Sequence, residues 1–497
     1  MPQSIDELPD ADLRRFPRPD VPPPAEIDDV HLIGICGTGM GALAGLFQQA
    51  GKDVRGADDG VYPPMSTHLA ERGIPVQEGY DPAHLDPAPD LTVVGNACTP
   101  THPEAAYARE ERLPQQSFPE ALAHGFLTDA RRPLVVTGTH GKTTTTGLLV
   151  HLLRYAGQDP GFLVGGVMEN GGQSYALGSG TPFVVEGDEY DSAYFDKRPK
   201  FMHYRPQSAV VSSVEFDHAD IFADRTDYRD AFADFVGLLD ADGLLALCGD
   251  DPVVRALANH TSATVRTYGF APQNDVRADE LTTMADGQVF TLRMNGRSEE
   301  VRFPLPGRHN VENALAAALL AHREGVSLSE IAAGLATFEG MKRRQEVRGR
   351  PNDVLVIDDF AHHPTAVAAT VQAVRAAHPN RRLVALFEPR SNTSRRDLFQ
   401  ADYGAAFDDA DHVFLKTPPV RHNDDPDAML DPGAVVQTIR DRGTPAETFD
   451  DVDAVLPALV DTLQPGDVVL LMSRGGVAIP RRGPRCQSSI RRAARFP

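Results

Sequence analysis

The sequence predicts an α/β protein of three blocks built on mostly parallel sheets, and three observations carry that expectation. Short β-branched runs alternate with amphipathic helical stretches along the chain. Two glycine-rich turns, at 34–41 and 138–142, stand where a strand gives way to a helix. A chain of 497 residues with 41 % hydrophobic residues is too long for one core and apolar enough for several.

The elements follow in order. Residues 1–27 form a leader whose first 25 residues carry seven prolines, alternating charge and no apolar segment. That composition reads as a flexible or loosely docked extension. The first block, 28–130, opens with the strand Val30–Cys36, a glycine turn and a helix to about Ala50, followed by strands at Asp53–Ala57 and Leu91–Gly95. After Arg131-Arg132-Pro133, the strand Leu134–Thr137 starts a second block, 131–342, with Phe183–Val185, Ala209–Val214 and a helix near Asp227–Leu239. Between about 263 and 305 the helical period vanishes. Gln288–Met294 and Val301–Phe303 predict antiparallel hairpins attached to the main sheet, and a helix runs from Asn310 to about Glu324. The third block, 343–480, repeats strand and helix through Val354–Ile357, Leu383–Phe387, His412–Leu415 and Val468–Met472. Residues 481–497 hold six arginines and no acid, too polar for a closing amphipathic helix.

Charge and cysteines exclude several functions. A net charge of −22 argues against a nucleic-acid-binding surface. Cys36, Cys98, Cys248 and Cys486 form no CxxC pair, as suits reduced thiols in a cytoplasm. No apolar run approaches 18 residues and nothing resembles a signal peptide, so no membrane insertion is expected.

The chemistry sits at strand ends. Gly37, Thr38, Gly39 and Met40 begin a helix whose N–H groups can meet a nucleotide diphosphate or a dinucleotide, with Asp58 placed for a ribose or base. A tight structural turn is the competing explanation. Gly138, Thr139, His140, Gly141, Lys142, Thr143 and Thr144 form a shortened phosphate loop. In it Lys142 reaches β- and γ-phosphates and the Thr143 hydroxyl meets Mg²⁺. Four carboxylates, Glu186, Asp188, Glu189 and Asp191, end the next strand and call for a cation. His218 follows the third strand of the block. A lone His is more often a core residue, yet this position favours a ligand. Asp358 to Pro364 and Glu388 to Thr393 occupy equivalent strand ends in the third block, where Arg390 suits a carboxylate.

Taken together, these motifs resemble the Mur ligase family, the ATP-dependent amide-forming enzymes of peptidoglycan synthesis. The resemblance spans about residues 28–475. It rests on the Thr137–Thr145 loop, Gly307-Arg308-His309-Asn310-Val311-Glu312-Asn313 and Asp359-Phe360-Ala361-His362-His363-Pro364. Within the family, the strings at 189–198, 215–222 and 388–393 look like the branch that adds a preformed murein tripeptide, with L-alanine addition as the alternative. A catalytically silent nucleotide-binding partner is the remaining reading.

The resemblance implies a Rossmann-like N-terminal domain for the UDP-sugar, a central P-loop ATPase with an antiparallel subsheet, and a C-terminal Rossmann-like domain for the amine. Carried over by position, Lys142 contacts the γ-phosphate, and Thr143, Glu186 and His218 are the protein ligands of Mg²⁺. Asn310 and Asn313 match adenine contacts, Arg344 and Asp359 match nucleotide contacts, and His362 is a weaker match. Gly37 to Met40 would wrap the UDP diphosphate, while Arg390, Ser391 and Asn392 would face the incoming amine. The implied substrates are UDP-N-acetylmuramate, ATP and the murein tripeptide, with no obligate protein partner. The family's last strand normally leads into a small-residue loop and a helix. Here Arg474 and the arginine-rich terminus depart from that pattern, and some packing around Val468–Met472 is expected to be lost.

Overall fold

The computed structural model describes residues 5–63, 65–420, 425 and 428–473, so Arg474 and the 481–497 tail lie outside the described residues. Three large sheets and a two-stranded one, Asp191–Ala193 with Asp196–Pro199, are formed among the described residues. The first is wholly parallel, in the order Val76–Glu78, Asp53–Asp58, Asp29–Ile33, Leu91–Val94, Gln115–Ser117. Its opening strand stops at Ile33, before the predicted Cys36. Gly34 takes φ +83°, and its N–H turns to the carbonyl of Ala57. A glycine accepts that left-handed turn without strain.

The second sheet has ten strands. Arg132–Thr137 lies parallel between Ser208–Val211 and Pro182–Glu186, with all of its residues from Pro133 buried. Strands buried on both faces read as continuous apolar runs, which is why this one was visible in the sequence. Leu244–Cys248 and Thr264–Gly269 extend the parallel part. Val276–Met284, Gly287–Met294 and Arg297–Phe303 then pair antiparallel, as the alternating pattern required. In the third sheet Leu355–Asp359, Val468–Ser473, Leu383–Glu388, His412–Lys416 and Ala446–Phe449 run parallel in that order, edged by antiparallel Glu346–Gly349. Every residue of Val468–Ser473 is buried, so the packing loss expected there is not found.

One apolar cluster joins the first two sheets, from Ile27 through Phe126 and on from Leu134 to Met341. The third sheet has its own apolar layers, one on each face. Of the two expected states, flexible or loosely docked, the leader takes the docked one. Phe16 packs on Tyr194 and Phe195, Arg14 donates to the carbonyl of Tyr194, and Arg18 pairs with Glu120. Aromatic and ion-pair contacts of that kind hold a segment whose own composition builds no core. No helix among the described residues is long and apolar enough to cross a membrane.

Candidate active site

A cavity of about 1490 Å³ draws its walls from all three blocks. The phosphate loop lies at its centre. Gly138 (φ +125°) and Gly141 (φ +78°) are left-handed, and a Cβ at either would sit 2.3 Å from a neighbour, Ser212 Oγ or Asn313 Oδ1. Only glycine fits there. Gly141 caps the helix Lys142–Tyr155, whose open N–H groups favour an anion. Thr139 is tied to Glu215 and Tyr228, and the backbone N–H of His140 to Ser213, so the loop is shaped before any ligand binds.

Lys142 folds back into the loop. Its Nζ donates to the carbonyl of Gly138 at 2.6 Å and stands 2.9 and 2.8 Å from the two carboxylate oxygens of Glu189. Burial disfavours the ammonium charge, yet Glu189 and Asp188 more than restore it, and Lys142 stays protonated. Burial likewise works against the Glu189 carboxylate, but Lys142 and His218 hold its pKa below the ordinary range. The acidic cluster is therefore met largely by lysines. Asp188 pairs with Lys200 at 2.6 Å and Asp191 with Lys197 at 2.5 Å, so a metal is not needed to balance those two. These are three of only six lysines in the chain, and their scarcity was the available signal.

Glu186 differs. It has no lysine of its own; Thr143 Oγ1 donates to its Oε1 at 3.0 Å and the Gly165 N–H to its Oε2 at 2.8 Å. Burial pushes its pKa above the ordinary range, against the pull of Lys142. Thr143 and Glu186 thus stand together as expected, with Arg344 from the third block 3.2 Å from the Thr143 hydroxyl. His218 is placed otherwise. Its Nε2 bonds Glu189 at 2.9 Å, and although burial works against its charge, Asp217 and Glu189 raise its pKa. It would have to leave Glu189 to ligate a metal through that nitrogen. The Tyr228 hydroxyl, between Thr139 and Glu189, belongs to the same network, and no local motif marks it.

Asn310 and Asn313 lie on the helix Arg308–Arg323, bonded to each other, with Thr145 donating to Asn313. Asp359 accepts from the backbone N–H of Gln345 and Ala361, and burial raises its pKa. Asp359, His362, Asn310 and Asn313 all line the cavity. Gly37, Thr38, Gly39 and Met40 form its far wall, at the start of the helix Thr38–Gln49. Asp58 is not there: its two oxygens accept the Cys36 and Gly60 N–H groups and brace the turn.

Arg390, Ser391 and Asn392 also lie outside the cavity walls. Ser391 shares hydrogen bonds with Ser394 inside a buried turn, and Asn392 donates to Asp220 of the second block at 2.6 Å. Arg390 stands 3.9 Å from Glu388, which Lys416 holds at 2.9 Å. Sequence reasoning also missed Glu215 as a meeting point. Its carboxylate faces His140 at 3.3 Å and His363 at 3.6 Å, and accepts from the Thr365 hydroxyl at 2.6 Å.

The geometry offers an anion loop, a protonated lysine, a hydroxyl–carboxylate pair and a second anion-binding helix start, all around one space. Comparison with known proteins agrees. Residues 29–127 match the Mur ligase family catalytic domain, 136–321 the Mur ligase middle domain, and 343–475 the Mur ligase glutamate ligase domain. The chain is 40 % identical to the UDP-N-acetylmuramate–L-alanyl-γ-D-glutamyl-meso-2,6-diaminoheptandioate ligase of Escherichia coli, covering 90 % of this chain and 95 % of that one. It is 37 % identical to the UDP-N-acetylmuramate–L-alanine ligase of Mycolicibacterium vanbaalenii, over 92 % of this chain and 95 % of that one. Among solved structures, the murein peptide ligase of Psychrobacter arcticus aligns with a TM-score of 0.69 at 33 % identity, over 94 % of this chain and 98 % of that one. Fold, loop and cavity converge with these likenesses: the chain belongs to the Mur ligase family, whose members are ATP-dependent amide-forming ligases.

Proposed function

We propose that the protein joins the lactyl carboxylate of UDP-N-acetylmuramate to the α-amine of L-alanyl-γ-D-glutamyl-meso-diaminopimelate, converting ATP to ADP and phosphate, in peptidoglycan recycling. The observation that carries this reading is the single cavity bounded by Gly37 to Met40, the phosphate loop and Asp359. It gives a sugar nucleotide and ATP a common space, as phosphoryl transfer between them requires.

The chemistry follows from charge. A carboxylate does not react with an amine at neutral pH until one of its oxygens becomes a leaving group. A lactyl carboxylate oxygen attacks the γ-phosphorus, the bond to the β-phosphate oxygen breaks, and ADP leaves an acyl phosphate. The amine then attacks the acyl carbon, phosphate departs, and the amine gives up a proton. Lys142, released from Glu189 by the incoming phosphates, offsets repulsion between the two anions. The loop N–H groups orient the transferred group.

Thr143 and Glu186 fit Mg²⁺: a hydroxyl and a carboxylate, 3.0 Å apart, are hard oxygen donors. Gly165 leaves room beside Glu186, since a Cβ there would come within 2.9 Å of its carboxylate oxygens. When bound, Mg²⁺ would supply charge neutralisation on the phosphates. A reaction drawing on ATP and a sugar nucleotide belongs in the cytoplasm.

Likeness to the Escherichia coli enzyme supports the tripeptide over L-alanine. The test is ADP release with UDP-N-acetylmuramate, offering tripeptide and L-alanine separately. We expect kcat/KM for the tripeptide to exceed that for L-alanine at least about 100-fold, because losing a charge-assisted pair costs on the order of 3 kcal/mol. Equal or faster turnover with L-alanine would replace this assignment with alanine addition.

A further inference from the structure

Beside the phosphate loop, three side chains with metal-binding atoms converge from two blocks. His140 and Glu215 belong to the second and His363 to the third, and one ligand atom from each lies within 4.8 Å of the others. Glu215 Oε2 is 3.3 Å from His140 Nε2 and 3.6 Å from His363 Nδ1. A tetrahedral ion with bonds of about 2.0–2.1 Å holds its ligand atoms about 3.3 Å apart. The two measured edges already match that spacing.

We propose that His140, Glu215 and His363 form a binding site for a zinc-class divalent ion, distinct from the Mg²⁺ pair Thr143 and Glu186, which ties the second block to the third. Two imidazoles and one carboxylate are a zinc donor set, whereas Mg²⁺ prefers oxygen throughout. Burial pushes His363 down to about 4, and hydrogen bonds from His140 and Thr365 hold the Glu215 carboxyl down at about 2 against burial. The rings of His140 and His363 stand 4.7 Å apart, so a small rotation closes the set. All three residues face the cavity, which leaves the fourth position to water or a phosphate oxygen.

Two existing bonds compete. The Thr365 N–H donates to His363 Nδ1 at 3.3 Å, a long contact that the ion would displace. The Thr365 hydroxyl donates to Glu215 Oε2 at 2.6 Å, and a carboxylate oxygen can keep that bond while ligating. A filled site would pin the start of the helix Pro364–Ala377 against the phosphate loop.

The test is calorimetric titration of Zn²⁺ into tag-free, full-length, metal-stripped protein in millimolar Mg²⁺. We expect one ion per chain, with affinity lowered at least about 100-fold by either Glu215→Gln or His363→Gln and within about threefold of wild type in Glu186→Gln, since loss of a ligand exceeds the effect of an outer partner. Retained affinity in both of the first two variants, or loss in Glu186→Gln, would overturn the proposal. Should a variant fail to fold, zinc X-ray absorption on the wild type decides. Two imidazole nitrogens with oxygen support the site; a sulfur shell, or oxygen alone, refutes it.

Discussion

Replacing Lys142 with Ala tests the centre of the active site in two independent ways. Lys142 is 14 % exposed and Glu189 1 %, so solvent screens their pairing little. Removing one partner of a buried pair costs about 3–5 kcal/mol. The lower figure applies, because His218 and Tyr228 still reach Glu189. About 3 kcal/mol corresponds to a melting shift of about 6–12 °C for a unit of this size. The deficit depends on pH with a definite sign. Glu189 has a depressed folded pKa, so its stabilisation is present above the ordinary carboxylate range and is lost as pH falls through the folded value. Without Lys142 that pKa rises. The gap between variant and wild type should be full at pH 7 and close as pH drops through the carboxylate range. The double variant Lys142→Ala/Glu189→Gln, which leaves no unpaired charge, should recover most of the loss. ADP formation should fall at least about 100-fold in both variants, with UDP-sugar affinity unchanged by calorimetry. Thermal scans from pH 4 to 8 supply the measurement. A Lys142→Ala protein as stable as wild type at pH 7, or a deficit independent of pH, would refute this account of the pair.

Three further outcomes follow from the geometry. Gly141→Ala forces a left-handed alanine, costing about 1–2 kcal/mol, with its Cβ 2.3 Å from Asn313; KM for ATP should rise at least about tenfold, and an unchanged KM would show the loop can re-form around it. Phe16→Ala with Arg18→Ala should raise hydrogen exchange in the hairpin Asp191–Pro199 about tenfold, from the loss of two aromatic pairs and the Arg18 guanidinium over the Phe195 ring; unchanged exchange would mean the leader docks without holding it. Glu104, buried with His31 and bonded to His84, has a depressed pKa because the histidines outweigh burial. Its stabilisation is present at neutral pH and lost on acidification, so Glu104→Gln should cost about 2 kcal/mol at pH 7 and converge with wild type as pH falls below the ordinary carboxylate range. Parallel curves would exclude that role.

Elements that announce themselves locally were legible in the sequence. Buried parallel strands such as Arg132–Thr137 read as apolar runs, and the hairpin strand Gly287–Met294 buries nearly alternate residues, as its sequence pattern requires. Gly138 and Gly141 were legible because their conformations admit one residue type. Partnerships between distant residues were not. Nothing in the composition of 1–27 says that Phe16 meets Tyr194, nor that Thr365 meets Glu215 across 150 positions. Asp58 was ambiguous for a related reason: an acid after a strand can face a ligand or brace its own turn, and its bonds to the Cys36 and Gly60 N–H groups are not visible in the sequence. His218 poses the same problem, since the carboxylate that claims its ring lies 29 residues away.

The distribution of apolar contact indicates where the molecule opens. The first two sheets share one continuous cluster, in which Phe47 and Phe126 sit with Leu134 and Phe162. Separating them would expose apolar surface at about 25 cal/mol per Å². The third sheet encloses its own layers and meets the second block where the helix Pro364–Ala377 rests on Arg308–Arg323 and Val276–Met284, and through polar contacts: Arg344 with Thr143, Thr365 with Glu215, Asn392 with Asp220, and Arg396 with the Ala219 carbonyl. Water can replace each of these hydrogen bonds, at a net loss of about 0.5–1.5 kcal/mol apiece. Opening for substrate entry and product release therefore costs less between the second and third blocks than between the first and second. The same boundary holds Arg344 against Thr143, so closing it completes the nucleotide site and opening it takes that arginine away.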